Sequence, residues 1–324
     1  MFSVIIPLYN KAAYIERAIQ SVLSQTFQEF ELIVVDDGST DDSFAQLSVI
    51  SQQLSVDAPE IYKKVRVFQQ QNQGVSTARN NGVKLAKYEH IAFLDADDSW
   101  EPAYLEEMKG LIAAYPNVGI YGCGYYIVKN GKKRIAPIGV EKDFDRGLIN
   151  YCQVYSKTLC MPLTSISTIL RKSIFIKETG FKPDLKLGED FDLWIRVATK
   201  YPVAFLNIPL ANYHQDVDLA NRAIGVKLYM RHEHMLFTDY GELKNNPDFV
   251  YLYDRLALYG LLPYYLKGKN KKEVQDILSQ IHWDQHELKY RLKYIFLPKM
   301  FVLLWENLLK YGLVVKRYIL KSKK

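Results

Sequence analysis

Short β-branched runs alternate with amphipathic helical periods through the first hundred residues. SVIIP from Ser3, ELIVVD from Glu31, VRVFQ from Val65 and HIAFLD from His90 read as strands, at spacings of 28, 34 and 25 residues. Such spacings suit successive βαβ units and predict a mostly parallel sheet. Between the first two strands, Tyr14, Ile15, Ala18, Ile19, Val22 and Leu23 fall on one helical face, with Asn10 as the expected N-cap. Ser39 and Thr40 are placed to cap a second helix, with Asp41 and Asp42 near its positive end. Val75, Ala78, Arg79, Gly82, Val83 and Ala86 mark a third, and Pro102 opens a fourth.

After about residue 118 the pattern changes. GIYGCGYYIVKNGKKRIAPIG reads as two strands around an Asn130-Gly131 hairpin turn. An apolar strand is expected at Ser165 to Leu170, then a helix in GEDFDLWIRVATKY, then a strand from Pro202 to Pro209. Beyond Asp216 strand signals fade into an aromatic-rich helical region, which places a boundary between residues 1–217 and 218–324. The last helical stretch, 299–321, separates its residues by kind. Lys299, Glu306, Lys310, Arg317 and Lys321 form one stripe, and Met300, Phe301, Leu304, Trp305, Leu308, Tyr311, Val315 and Ile319 lie opposite.

Composition narrows the classes. Apolar residues at 48% and charged residues at 24% describe a folded chain. Three cysteines without C-x-x-C spacing encode neither a disulfide framework nor a thiolate zinc site, which fits a reducing compartment. No apolar run reaches a membrane span, and MFSVIIPLYN lacks a signal peptide's basic start, so a cytoplasmic location is expected. The net charge of +6 is unevenly placed, because residues 261–324 hold 14 Lys and Arg against 5 Asp and Glu. That basic end, joined to the apolar face of 299–321, is what an in-plane helix on an anionic membrane needs. Nucleic acid is not the reading the charge favours. A helix packed on protein has the same pattern.

In open α/β sheets the ligand crevice lies outside the carboxyl ends of the strands. The second strand ends in Asp36-Asp37-Gly38 and the fourth in Asp95-Ala96-Asp97-Asp98, whereas Pro7-Leu8-Tyr9-Asn10 follows the first with no glycine. A dinucleotide fingerprint is therefore missing, and no G-x-x-x-x-G-K-[ST] loop occurs. Closely spaced carboxylates repel unless a hard cation or hydrogen-bond donors compensate, and oxygen ligation suits Mg²⁺ or Mn²⁺. A third acidic feature, Gly188-Glu189-Asp190, opens a helix, where Asp190 could deprotonate a sugar hydroxyl. Taken singly, each acidic group is equally a helix cap.

The four segments SVIIPLYNKAAYIERAIQSVLSQTFQEFELIVVDDGSTDDS, GVSTARNNG, FLDADD and GEDFDLWIRVA, in this order, resemble the family 2 glycosyltransferases over residues 1–215. The resemblance implies the GT-A fold, a Rossmann-like nucleotide-diphospho-sugar transferase fold with a mixed, mostly parallel sheet flanked by helices. Here it would carry a helical C-terminal extension. It implies a nucleotide-sugar donor, UDP-linked, and a glycan or lipid-linked acceptor of cell-surface polysaccharide synthesis. Pro7, Tyr9, Asp36, Arg79 and Asp95 are then expected at the nucleotide-sugar. Asp97 and Asp95, with His214, are expected at a divalent cation, Mn²⁺ or Mg²⁺. Asp190 is the expected general base of an inverting transfer, with Glu189 and Asp98 in support or at the acceptor. The Q-x-x-R-W motif of processive synthases is absent from DLWIRVATKYP, which implies one sugar per encounter. A nucleotidyltransferase and a non-catalytic membrane-associated protein of the same fold are the alternatives; the first lacks a glycine-rich loop in PLYNKAAY.

Overall fold

The computed structural model describes residues 1–216 and 228–308. The expected boundary at 217/218 and positions 309–321 of the expected last helix lie outside the described residues. The chain divides into two compact units, Met1–Asp239 and Tyr240–Lys324.

The first unit is built on a ten-stranded sheet. Its strands are β1 (Phe2–Leu8), β2 (Phe30–Asp36), β3 (Val65–Gln69), β4 (His90–Phe93), β5 (Ser99–Trp100), β6 (Ile120–Lys129), β7 (Lys132–Ile135), β8 (Arg146–Ile149), β9 (Thr168–Arg171) and β10 (Val203–His214). They are interleaved with α1 (Ile15–Leu23), α2 (Ser43–Asp57), α3 (Pro59–Tyr62), α4 (Val75–Leu85), α5 (Tyr104–Ala114), α6 (Tyr151–Thr158), α7 (Lys172–Lys177) and α8 (Glu189–Ala198). The spine runs β3-β2-β1-β4-β9-β6-β10-β5, with β7 paired to β6 and β8 to β10. β3, β2, β1 and β4 are mutually parallel, as are β6 and β10, while β9 runs against its neighbours β4 and β6. This is the mixed, mostly parallel sheet flanked by helices that the sequence predicts.

Every residue of β1 and β2 is buried, as expected of central strands covered on both faces. α1 forms because Ile15, Ala18, Ile19, Val22 and Leu23 recur on one face, and all five are buried in the main core. Asn130 and Gly131, both at positive φ, turn β6 into β7 as the hairpin signal predicts. β10 extends five residues beyond the expected Pro209, because its far end pairs with β5 and β6.

Two expected caps are corrected. Asn10 sits at φ 51, four residues before the α1 N-cap Tyr14. Its side-chain oxygen accepts from the N–H groups of Thr40 (2.8 Å) and Asp41 (3.3 Å), so it ties the loop after β1 to the loop after β2. α2 starts only at Ser43, whose N–H donates to Asp41 (2.9 Å), while Ser39 Oγ accepts from the Asn10 N–H (3.1 Å). Both side-chain sets serve the junction of two loops because the parallel strands place those loops side by side.

The second unit contains α9 (Pro247–Gly260), α10 (Leu262–Lys267), α11 (Lys271–Gln280) and α12 (Leu288–Arg291), then a helix that the described residues follow over 299–308. Asn246 caps α9 by accepting from the N–H groups of Asp248 and Phe249, and Pro247 fixes its first turn. Buried Asp254 on α9 accepts from the His282 N–H (2.9 Å) and from the rings of His282 and His286, which closes the loop after α11 onto α9. Among the described residues no helix is long and apolar enough to cross a membrane.

Candidate functional site

Parallel register brings the acidic motifs to one end of the sheet. Leu8 of β1 pairs with Asp36 of β2, so Pro7, Tyr9 and Asp36 stand at the same strand ends. Pro7 is buried in β1 and Tyr9, just past it, is exposed. Asp36 is buried; its carboxylate accepts from the Ser39 N–H (3.2 Å) and the Gln69 side-chain amide (2.9 Å). Asp37 faces elsewhere. It accepts from the N–H groups of Gln73 (2.9 Å) and Gly74 (2.8 Å), holding the start of α4 in place.

That start positions Arg79, whose side chain is almost fully buried. Nη2 donates to Asp95 Oδ1 at 2.6 Å and Nη1 to Glu189 Oε1 at 3.2 Å. One guanidinium thus joins the acidic turn after β4 to the first residue of α8. Burial works against the charge on Arg79, but the carboxylates of Asp95 and Glu189 overcome it and raise its pKa. The guanidinium also lies 5.2 Å from the centre of the Phe181 ring. Neighbouring Asn80 grips the Phe181 backbone from both sides, accepting from its N–H (3.0 Å) and donating to its carbonyl (2.8 Å). Phe181 in turn packs edge-on against Phe93, Phe175 and Trp194.

α8 begins at Glu189 after Gly188, whose φ of 83° favours glycine. Asp190 occupies the first turn, where Oδ1 accepts from the Phe191 N–H (2.7 Å). Burial and then the charge of Glu189 push its carboxyl up to about 7, against the pull of Arg79. Asp192, fully buried, is held by Lys182 (2.7 Å) and Arg196 (2.8 Å), and Arg196 also donates to the carbonyls of Glu178 and Gly180. The loop before α8 is therefore pinned to the helix it feeds.

The turn Asp95-Ala96-Asp97-Asp98 closes with the Asp98 N–H on the Asp95 carbonyl. Its next two residues form β5, which pairs with Ala211 and Asn212 of β10 and so delivers His214 to the acidic turn. The His214 N–H donates to Asp98 (2.7 Å), and its ring Nε2 lies 3.0 Å from Ser99 Oγ. Burial, then Arg17, lowers the His214 pKa to about 4, so its ring is neutral near pH 7. Asp98 is buried, and burial followed by the charges of Asp97 and Asp95 raises its pKa well above the usual range.

Asp97 does not stand alone. Lys11 Nζ lies 2.6 Å from its carboxylate, and Arg17 of α1 donates to its backbone carbonyl. Lys11, Arg17, Asn80 and Phe181 were not singled out in the sequence. Lys11 could have been, as a cation two residues past Tyr9 in a strand-end loop, but Phe181 carries no local signal.

The donor set fits a hard divalent cation. Three carboxylates and a neutral imidazole gather at one turn, and the pressure of Asp95 and Asp97 on Asp98 is what added positive charge would relieve. Among the described residues no three His, Cys, Asp or Glu side chains converge closely enough to hold an ion unaided. An ion here would therefore need oxygen ligands from outside the protein, as Mg²⁺ commonly takes from water and phosphates.

Known proteins share this arrangement of chain. An uncharacterized glycosyltransferase of Rickettsia felis is 32% identical over 209 residues, 64% of this chain and 32% of its own length. Uncharacterized glycosyltransferase EpsJ of Bacillus subtilis is 33% identical over 141 residues, 44% of this chain and 38% of that protein. The chain thus matches only about a third of the length of these curated relatives. Among solved structures, S. aureus TarS 1-349 in complex with UDP-GlcNAc superimposes with a TM-score of 0.57 at 19% identity, covering 86% of this chain and 90% of that one. The mannosyltransferase PcManGT from Pyrobaculum calidifontis, in complex with GDP-Man and Mn²⁺, gives 0.52 at 18%, covering 95% and 79%. At such identities the likeness is one of fold, and it is the GT-A fold. The sequence pattern of the family described as glycosyl transferase family 2 matches residues 3–176, more than half of the chain, and with this sheet and these motifs in place the chain belongs to that family.

Proposed function

We propose that the chain is an inverting glycosyltransferase that moves a sugar from a nucleotide-diphosphate donor, UDP-linked, to a hydroxyl of a glycan or lipid-linked acceptor in cell-surface polysaccharide synthesis. The observation that carries this reading is the Arg79 brace, which joins Asp95 to the helix turn bearing Asp190. Donor-side acids and a carboxyl with its pKa near 7 thereby share one site. Solved neighbours of the same fold are complexes with UDP-GlcNAc and with GDP-Man and Mn²⁺, which supports a nucleotide-sugar donor.

Pro7, Tyr9 and Asp36 line the strand ends where a base would lie, with Asp36 as acceptor for a base N–H. Asp95, held by Arg79, faces the ribose side. Asp97, with Asp95 and His214, would hold a divalent cation, Mn²⁺ or Mg²⁺, which supplies Lewis-acid stabilisation of charge on the leaving diphosphate. Asp190 takes the proton of the acceptor hydroxyl as its oxygen attacks the anomeric carbon. Burial, and then like-charge repulsion from Glu189, keep Asp190 basic, and Asp98 supports the turn. One base suffices because direct displacement needs the acceptor only on the face opposite the leaving group, the geometry that separates inverting from retaining glycosidases. We assign the enzyme to the cytoplasmic face of the membrane as a peripheral protein, with residues 1–217 as the catalytic part and 218–324 as its basic extension.

Calorimetry with a panel of UDP- and GDP-sugars, with and without Mn²⁺, should find one donor whose binding needs the ion. NMR of the product formed from it should show the anomeric configuration inverted. A retained configuration, or a donor bound equally well in EDTA, would overturn the corresponding part of the assignment.

A further inference from the structure

The helix at 299–308 buries one side and leaves the other exposed. Glu306 is turned inward, where it forms an ion pair with Lys293 (2.6 Å), both largely covered, and Lys293 lies over the Trp305 ring, while Lys299 stays exposed and donates to the Tyr265 carbonyl. Val302 is fully buried. The outward arc, about 160° wide at 100° per residue, carries Leu303, Met300, Leu304, Leu308 and Phe301, each 50–71% exposed, with exposed Asn307 as its one polar member. Ile295 and Phe296 before Pro298, and Leu288 on α12, are exposed as well. Monomers rarely expose so many large apolar side chains side by side unless something covers them.

We propose that this arc, Leu303, Met300, Leu304, Leu308 and Phe301 with Phe296 beside it, inserts into the interfacial layer of an anionic membrane. Charge selects the occupant. Residues 261–324 hold 14 Lys and Arg against 5 Asp and Glu, so a second copy would set like charge against like, whereas an anionic lipid surface complements it. Lys289, Arg291 and Lys299 lie in the same stretch as the apolar arc, as does the aromatic Trp305, the composition of a helix lying in the plane of the interface. The inference deepens the peripheral location given above and rests on that part of the reading. It goes further in assigning attachment to apolar insertion, with charge in a supporting role.

The test uses the full chain and vesicles of equimolar phosphatidylglycerol and phosphatidylcholine. The protein should sediment with the vesicles, and part of the binding should survive about 0.5 M NaCl, at which surface charges are largely screened. Phe301→Glu with Leu304→Glu should weaken binding at least tenfold at both salt concentrations. The milder Phe301→Ala with Leu304→Ala, which keeps helix propensity, should weaken it severalfold. Binding by the glutamate variant equal to the parent's would overturn the proposal, as would binding lost entirely at high salt. So would a parent that ignores vesicles and forms a dimer which the glutamate variant dissociates. Donor hydrolysis measured alongside should be unchanged in both variants. Hydrolysis absent from the parent while vesicle binding follows the expected pattern would count against the transferase reading alone.

Discussion

Asp190 is poised at a cost. A carboxyl at about 7 in the folded chain, against an ordinary 3.8, is protonated more readily folded than unfolded. Stability is therefore unaffected below about pH 4, falls as pH rises from 4 toward 7, and stays reduced above. Asp190→Asn removes that burden: at pH 8 it should melt several degrees higher than the parent, with the gap closing near pH 4. The same change removes the proposed base, so kcat should drop about 10²- to 10⁴-fold while donor affinity holds within about threefold. In the parent, kcat/KM should rise with pH through an inflection near 7. A rate indifferent to pH between 5 and 8 would exclude Asp190 as the titrating base. Lys11 permits a second test at this scale. Its ammonium neutralises Asp97 at 2.6 Å, with both side chains only partly exposed, so a divalent cation at Asp97 meets a resident positive charge. Lys11→Gln should tighten Mn²⁺ binding about fivefold, the order expected of one partly exposed ion pair. Electron paramagnetic resonance of free Mn²⁺ measures this without turnover, and an unchanged affinity would show that Lys11 and the ion do not compete.

At the scale of elements, the site depends on where α8 begins. Gly188 has φ of 83°, and a Cβ there would come within 2.3 Å of Met235 Cγ. Gly188→Ala meets both left-handed strain, about 1–2 kcal/mol, and that contact, so the first turn of α8 must shift. Melting should fall by several degrees and kcat by tenfold or more, with donor affinity retained because Asp36 and Asp95 sit on other elements. An intact kcat would mean that the helix start does not set the position of Asp190. The strands and helices that bear the acids were legible because each is locally encoded: continuous apolar runs for β1 and β2, a five-residue face for α1, a glycine before α8. What failed to show was whatever depends on pairing between distant segments. The two-residue β5 exists only because β10 runs alongside it; His214 is expected near the acidic turn from the family resemblance alone, and this pairing is what brings it to Asp98 across 116 positions. Asn10 reads as a helix cap in sequence but bonds to a loop 30 residues away. Lys11 on Asp97 and Phe181 against Arg79 are likewise products of the fold. The helix at 299–308 shows the converse, for periodicity reveals that its charged and apolar sides are separated without saying which one faces out.

At the scale of the whole molecule the candidate site and the exposed apolar arc fall in different units. Every candidate site residue from Pro7 to His214, and every element that holds one, belongs to Met1–Asp239, together with the main core of the sheet. The exposed apolar arc and most of the excess positive charge belong to Tyr240–Lys324. Asp254 with His282 and His286, Lys293 with Glu306, and the Asn246 cap all close within that second unit. If donor chemistry depends on the first unit alone, a chain ending at Asp239 should bind the proposed UDP-sugar donor within about threefold of the full chain and with the same response to Mn²⁺ as the full chain. It should also remain in the supernatant with phosphatidylglycerol vesicles, because neither the arc nor the basic stretch is present. Loss of donor binding in a fragment that still melts cooperatively would show that the second unit completes the donor site. Sedimentation of the fragment with vesicles would place a membrane contact in the catalytic unit, and the division of labour between the units would then fail even with the transferase chemistry intact.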